Sequence, residues 1–369
     1  MRLPSHPVRR VLVFLVGSLG DTLVTLPVLR LVAAHYPDAE RRLLTNFSIS
    51  EKAAPISALL DGTGLIHGYI RYPAQRRDPR QLLQLAATIR RWKPDLLVYL
   101  HEPHGLRAAY RDAAFFRACG IRHMIGVPYR ASDQFLMLDS DSGRSEHRSE
   151  YLARLLAQLG NARLEDRSSW NLLLSGSEQD TARSALAPLL GCTGILSASI
   201  GSKVDVKDWG DDNWRRLLRS LSERLPGWGL VMIGAPSEHE RTANLLTAWR
   251  GRSLNLCGGI TLRQCAAVLE HSDVYLGHDS GPMHLAATVG TPCVAIFSAR
   301  NPPGEWFPYG EGHTVFYKKT ECYGCRLDTC TEFAKKCILS ISVDEVAEAV
   351  VNKALAVTAT GRACELAPE

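Results

Sequence analysis

An α/β chain of two domains, each built on a mostly parallel sheet, is what this sequence predicts, and three observations carry the prediction. Residues 11 to 16 are a continuous apolar run, followed by Gly17-Ser18-Leu19-Gly20-Asp21 and then by apolar positions at Leu23, Leu26, Leu29 and Val32. That is a strand buried on both faces, a glycine turn and an amphipathic helix. Residues 274 to 298 repeat the order, with Pro282 where a first helical turn tolerates proline and Gly290 where a helix ends. Finally, 369 residues exceed one ordinary core, and 46% apolar residues supply two.

Taken in order, the first domain is expected to span 1 to 180. After the opening unit, strands are expected at 43 to 45 and 66 to 70, and a short helix at 55 to 60. A longer helix at 81 to 92 is broken by Pro94 ahead of a strand at 96 to 100. Ile125-Gly126 continues the sheet, 139 to 149 reads as a polar loop, and 150 to 159 as a helix ended by Gly160. A helix at 175 to 190 leads into the second domain, 181 to 345. Strands are expected there at 195 to 200, 230 to 233, 274 to 276 and 293 to 297, with helices at 264 to 270 and 283 to 289. The remainder, 346 to 369, completes a helix begun at 342 and ends in a tail.

The formal charge of +5 suits an anionic substrate or a membrane surface. No RNP, zinc-finger or helix-turn-helix pattern supports nucleic acid as a partner. No apolar run approaches the length of a membrane span. Arg9 and Arg10 precede a short apolar run that ends in the glycine turn, with no cleavage site, so a cytoplasmic protein is expected. Cys322, Cys325, Cys330 and Cys337 form a Cys-x2-Cys-x4-Cys-x6-Cys cluster that holds either plain thiols or a structural metal.

In an open α/β sheet, function gathers at the carboxyl ends of the strands. Asp21 stands there after the first strand, in the position of an N-cap. His101, Glu102 and His104 follow the strand at 96 to 100, where a metal site, solvent-facing side chains and an acceptor site are the readings. Arginines and Lys93 surround them, among them Arg76, Arg77, Arg80, Arg90, Arg91, Arg107, Arg111, Arg117 and Arg122. Such charges ordinarily solvate helix faces. Asp279 and Ser280 precede the helix after the strand at 274, either as caps or as part of a phosphate seat that Gly281 lets a ligand approach.

Asp-Ser-Gly-Pro-Met-His-Leu-Ala-Ala, 279 to 287, resembles the C-terminal signature of glycosyltransferase family 9, the ADP-heptose:lipopolysaccharide heptosyltransferases. Gly-Ser-Leu-Gly-Asp-Thr-Leu-Val-Thr-Leu-Pro-Val-Leu, 17 to 29, resembles the family's other signature, in the family's order. The resemblance implies a GT-B architecture, two Rossmann-like domains facing across a cleft. It implies Asp21 as catalytic base and Lys207, from Lys207-Asp208-Trp209, at the leaving diphosphate. Ser18, Gly20, Ser202, Lys203, Glu238, Ile260, Leu262, Asp279, Ser280, Gly281 and His284 are implied at the nucleotide-sugar donor. The stretch 201 to 206 departs from the family pattern by extra residues, which bears on Ser202 and Lys203. His101, His104 and Arg107 are expected at a saccharide acceptor, in this family a lipopolysaccharide core, with peripheral contact to the inner membrane.

The expected activity is an inverting, metal-independent heptose transfer that needs no cofactor beyond its donor. Two alternatives stand beside it: a related enzyme that uses another nucleotide sugar or epimerises one, and a silent protein that binds the sugar nucleotide without transfer.

Overall fold

The computed structural model describes residues 3–4, 6–47, 56–73 and 78–359. Pro55, Arg76, Arg77 and the tail from residue 361 lie outside the described residues. Two compact units divide the chain, the first closing at Leu172 and the second opening at Leu173.

In the first unit β1 (Arg10–Phe14), β2 (Glu40–Thr45), β3 (Gly68–Arg71), β4 (Leu96–Tyr99) and β5 (His123–Ile125) pair in the order β3-β2-β1-β4-β5. Every pairing is parallel. The helices are α1 (Leu19–Val24), α2 (Leu26–His35), α3 (Ser57–Leu60), α4 (Pro79–Trp92), α5 (Leu106–Ala118) and α6 (Arg148–Leu155).

Two expectations are corrected here. The helix after β1 is not continuous, because Pro27 has no N–H to give the Leu23 carbonyl; α1 ends at Val24, and Thr25 caps both it and α2, which starts afresh at Leu26. The stretch 139 to 149 is not one loop. Leu138 and Ser145 bridge antiparallel, and α6 begins at Arg148 with the His147 ring accepting the Ser149 N–H as its cap. His147, Arg148 and Ser149 are consequently buried despite their polarity.

The second unit pairs β6 (Ile195–Ser199), β7 (Gly229–Met232), β8 (Ser253–Asn255), β9 (Val274–His278), β10 (Cys293–Phe297) and β11 (Thr314–Tyr317) in the order β11-β10-β9-β6-β7-β8, again all parallel. Its helices are α7 (Gly176–Leu186), α8 (Asp211–Arg224), α9 (His239–Leu246), α10 (Leu262–Glu270), α11 (Gly281–Val289), α12 (Lys336–Leu339) and α13 (Val343–Ala359). The helix α8 buries Trp214, Leu217, Leu218 and Leu221, the i, i+3, i+4, i+7 stripe of one helical face. Each such side chain contributes roughly 1.5–3 kcal/mol relative to exposure.

Both sheets change direction once. In the first, β2 and β3 lie to one side of β1 and β4 and β5 to the other; in the second, β7 and β8 lie on one side of β6 and β9 follows on the other. The crevices at which such sheets take ligands therefore open past β1 and β4, and past β6 and β9. Among the described residues no helix is long and apolar enough to cross a membrane.

Candidate active site

At the first crevice, the turn after β1 carries Asp21. Ser18 is the N-cap of α1 and Asp21 the third helical residue, so Asp21 is not the N-cap. Its Oδ2 accepts the Ser18 N–H at 2.6 Å and the Ser18 hydroxyl at 2.8 Å. Both bonds fall on one oxygen, which leaves Oδ1 for other work. Gly17 makes the arrangement possible: a Cβ there would sit 2.5 Å from the Asp21 side chain. Gly20 belongs to α1, not to the turn.

Beyond β4, the His101 and His104 rings stack at 4.9 Å and 20°. Burial, reinforced by the neighbouring His104, lowers the His101 pKa below the usual histidine range, so this imidazole is neutral at pH 7. His104 Nδ1 donates to the Glu102 carbonyl at 2.6 Å. The Glu102 carboxylate receives Nη2 of the buried Arg148 at 2.9 Å. Arg107 is exposed on the first turn of α5. Part of the basic run is tied down: Arg90 donates to the Ala118 carbonyl and Arg111 pairs with Asp112 at 2.7 Å.

The second crevice joins two loops. Lys207, in the loop after β6, places Nζ 2.7 Å from Asp279 Oδ2 and 3.3 Å from the Asp279 carbonyl, just past β9. Asp279 is therefore an ion-pair partner and not a helix cap. Its pKa is pulled both ways: burial, the largest influence, raises it, but Lys207 and then His284 outweigh burial and hold it below the usual carboxylate range. His284 Nε2 stands 3.8 Å from Asp279 Oδ1, longer than a hydrogen bond. Ser280 is the N-cap of α11 but makes no side-chain cap bond, and Gly281 is already the first helical residue. With Pro282 next, the Gly281 N–H heads the helix outside its ladder.

Glu238 closes the neighbouring turn by accepting the Ala235 N–H at 2.9 Å. Two glycines make room for it, since a Cβ at Gly201 or Gly234 would fall 2.0 or 2.3 Å from its carboxylate oxygens. Ser202, Lys203, Asp208, Ser237, Glu238 and Arg241 line a pocket of 280 Å³ there. Within it the Ser202 hydroxyl turns to the Val204 carbonyl at 2.5 Å. Ile260 and Leu262 flank Thr261, the cap of α10, and do not line this pocket.

Beneath these loops His278 is fully buried, and burial pushes its pKa down to about 4. The unfolded chain takes up this proton near the ordinary 6.5, and the fold resists until about 4. Stability is therefore expected to fall as pH drops through that window, His101 acting in the same direction. A lower urea midpoint at pH 5 than at pH 7 is the expected result; equal midpoints would contradict it.

Among the described residues no group of three or more His, Cys, Asp or Glu side chains is placed to hold a metal. Cys322, Cys325, Cys330 and Cys337 are free thiols.

The family model for glycosyltransferase family 9 (heptosyltransferase) matches residues 106–336, well over half of the chain. The chain belongs to glycosyltransferase family 9. It is 24% identical over 342 residues to lipopolysaccharide heptosyltransferase 1 of Pseudomonas aeruginosa, covering 87% of each. The solved family 9 glycosyltransferase of Veillonella parvula shares its fold at a TM-score of 0.71 and 20% identity, over 96% of this chain and 100% of that one. The ADP-heptose lipopolysaccharide heptosyltransferase II of Escherichia coli does so at 0.63 and 18%, over 94% and 99%. The fold class is GT-B, and the chain is a glycosyltransferase.

For this family 9 enzyme, sequence reading had missed Asp208, Arg241 and Arg148. Asp208 lies inside the quoted Lys207-Asp208-Trp209 and was legible. Arg241, which binds Asp208 at 2.9 Å, and Arg148 become site neighbours only through tertiary packing.

Proposed function

We propose that this glycosyltransferase moves a heptose from ADP-heptose to a saccharide of a lipopolysaccharide core, with inversion and without a metal. The Lys207–Asp279 pair at the switch point of the second sheet carries the reading. A lysine at a helix head is suited to receive the charge that develops on a departing diphosphate, with Ser280, the Gly281 N–H and His284 beside it. Glu238 offers its carboxylate to ribose hydroxyls, and Ser202 and Lys203 line the same pocket. Ile260 and Leu262 are assigned to the base, and Ser18 and Gly20 to the donor.

In the reaction, Asp21 takes the proton of the acceptor hydroxyl as its oxygen attacks the anomeric carbon opposite the diphosphate. The bond to the diphosphate breaks through an oxocarbenium-like state, so one displacement inverts the centre. His101, His104 and Arg107 are assigned to the acceptor. The enzyme is placed in the cytoplasm, touching the inner membrane where its acceptor is anchored.

Calorimetry with ADP, UDP, GDP and the matching sugar nucleotides in chelator tests this reading. Metal-free, ADP-selective binding is the expected result. Preference for UDP or GDP would replace heptose as the sugar, conversion of donor without acceptor would indicate an epimerase, and no binding would overturn the donor site. A narrower expectation concerns Gly201. Gly201→Ala displaces Glu238 and should weaken ADP by roughly tenfold, the worth of one charged hydrogen bond; unchanged affinity would remove Glu238 from the ribose.

A further inference from the structure

Lys207 reaches Asp279 from a loop that must be held in place. The loop leaves β6 at Ile200, makes a short turn at Asp205–Lys207 and ends at Gly210 before α8. Its outer part is anchored away from β9: the Val206 N–H bonds the Asp328 carbonyl at 3.1 Å, Lys335 pairs with Asp205 at 3.2 Å, and Arg241 holds Asp208. None of these ties the loop to β9, the strand that leads to Asp279.

His278 does. It is the last residue of β9, next to Asp279, and its Nε2 accepts two hydrogen bonds. The Trp209 main-chain N–H, two residues beyond Lys207, donates at 3.3 Å, and the Trp214 indole N–H of α8 also donates at 3.3 Å. Two donors on Nε2 require the proton on Nδ1, a buried atom that makes no hydrogen bond of its own. The Trp214 ring meets the imidazole edge-on at 5.3 Å and 77°, and the Trp209 indole is pinned at its far end to the Ile341 carbonyl at 3.2 Å. A single buried imidazole thus spans the loop, the helix that follows it and the strand, one and two residues away from the two members of the ion pair.

We infer that His278 is a positioning residue of the donor site: it fixes the loop from Lys203 to Gly210 against β9 so that the Lys207 ammonium already stands at the head of α11 when a nucleoside diphosphate arrives. The inference rests on the donor-site reading above and adds to it the group that pre-organises Lys207. A lysine side chain has many rotamers to lose, so a loop already in register lowers the ordering that binding must supply. His278 touches no substrate and acts through Trp209.

The test compares His278→Phe, which keeps a ring and removes the acceptor, with His278→Gln, which keeps an acceptor of similar reach. Amide hydrogen exchange across residues 203 to 210, ADP affinity by calorimetry and the thermal midpoint are measured on each full-length protein. In the Phe variant, exchange at the Trp209 amide should rise at least about tenfold and ADP should bind roughly tenfold more weakly. The Gln variant should return both to within about threefold of the parent. Should the phenyl ring overpack, His278→Met removes the acceptor with a more adaptable side chain and repeats the comparison. Parental exchange in the acceptor-less variant would overturn the inference, as would a Gln variant as impaired as the Phe variant. A parent protein that binds no ADP would sink the donor reading alone, because loop exchange still decides whether His278 holds the loop.

Discussion

Asp21→Ala is expected to bind ADP with near-parental affinity and to transfer sugar roughly 10²-fold or more slowly. The separation follows from timing, since a base is needed only while the acceptor hydroxyl attacks. Alanine also removes the carboxylate that accepts the Ser18 N–H and hydroxyl, so α1 loses part of its cap, at about 0.5–2 kcal/mol. Asp21→Asn controls for that loss, because its amide oxygen still accepts from Ser18 but cannot take a proton at neutral pH. Equal loss of transfer in both variants, with donor binding intact, identifies the base. An active Asn variant would reduce Asp21 to a helix cap.

Lys207→Met should affect both folding and chemistry. Asp279, almost wholly buried, would lose its 2.7 Å partner, and breaking a buried pair from one side costs about 3–5 kcal/mol. The lowering by Lys207 would be gone and the Asp279 pKa would rise from its parental position, so the variant should be less impaired in stability at mildly acidic pH than at neutral pH. Transfer should fall by about 10²–10³, the range for removing a group that stabilises charge developing in a transition state. The double variant Lys207→Met/Asp279→Asn separates the effects: its thermal midpoint should recover while transfer does not. Recovery of transfer as well would make Lys207 a structural counter-ion only.

The parts of the fold that were legible in sequence are local ones. A strand buried on two faces is a run of Val, Leu and Ile, and a glycine turn is written in the turn itself, so the units at 11 to 34 and 274 to 298 could be read directly. The helix α8 was missed although its apolar stripe is regular, because charged and polar residues fill every other face. What no local pattern encodes is strand order. Lys207 and Asp279 are 72 residues apart and meet because β9 inserts beside β6 and not beside β8. The same insertion settles whether Asp279 caps a helix, a choice between two ordinary roles that depends on a partner from another loop. Arg148 looked like loop polarity for a similar reason: the Glu102 carboxylate that receives it is 46 residues earlier in the chain.

The hydrophobic core of the second unit has an uneven chronology. It draws on Leu196 near its start and on Val346, Val350 and Ala354 of α13, which packs along α8. During synthesis the first unit has all of its described strands once Ile125 is out of the ribosome, and its sheet can pair while translation continues. The second cannot complete the core that holds Trp214, Leu217 and Leu221 until almost the last described residue has emerged. Through that interval its sheet stands half-dressed, with parallel pairings that form slowly and an apolar face open to association. A nascent chain stalled before Val343 is thus a client for chaperones, whereas one whose residues up to Leu172 have all emerged already carries a complete first unit.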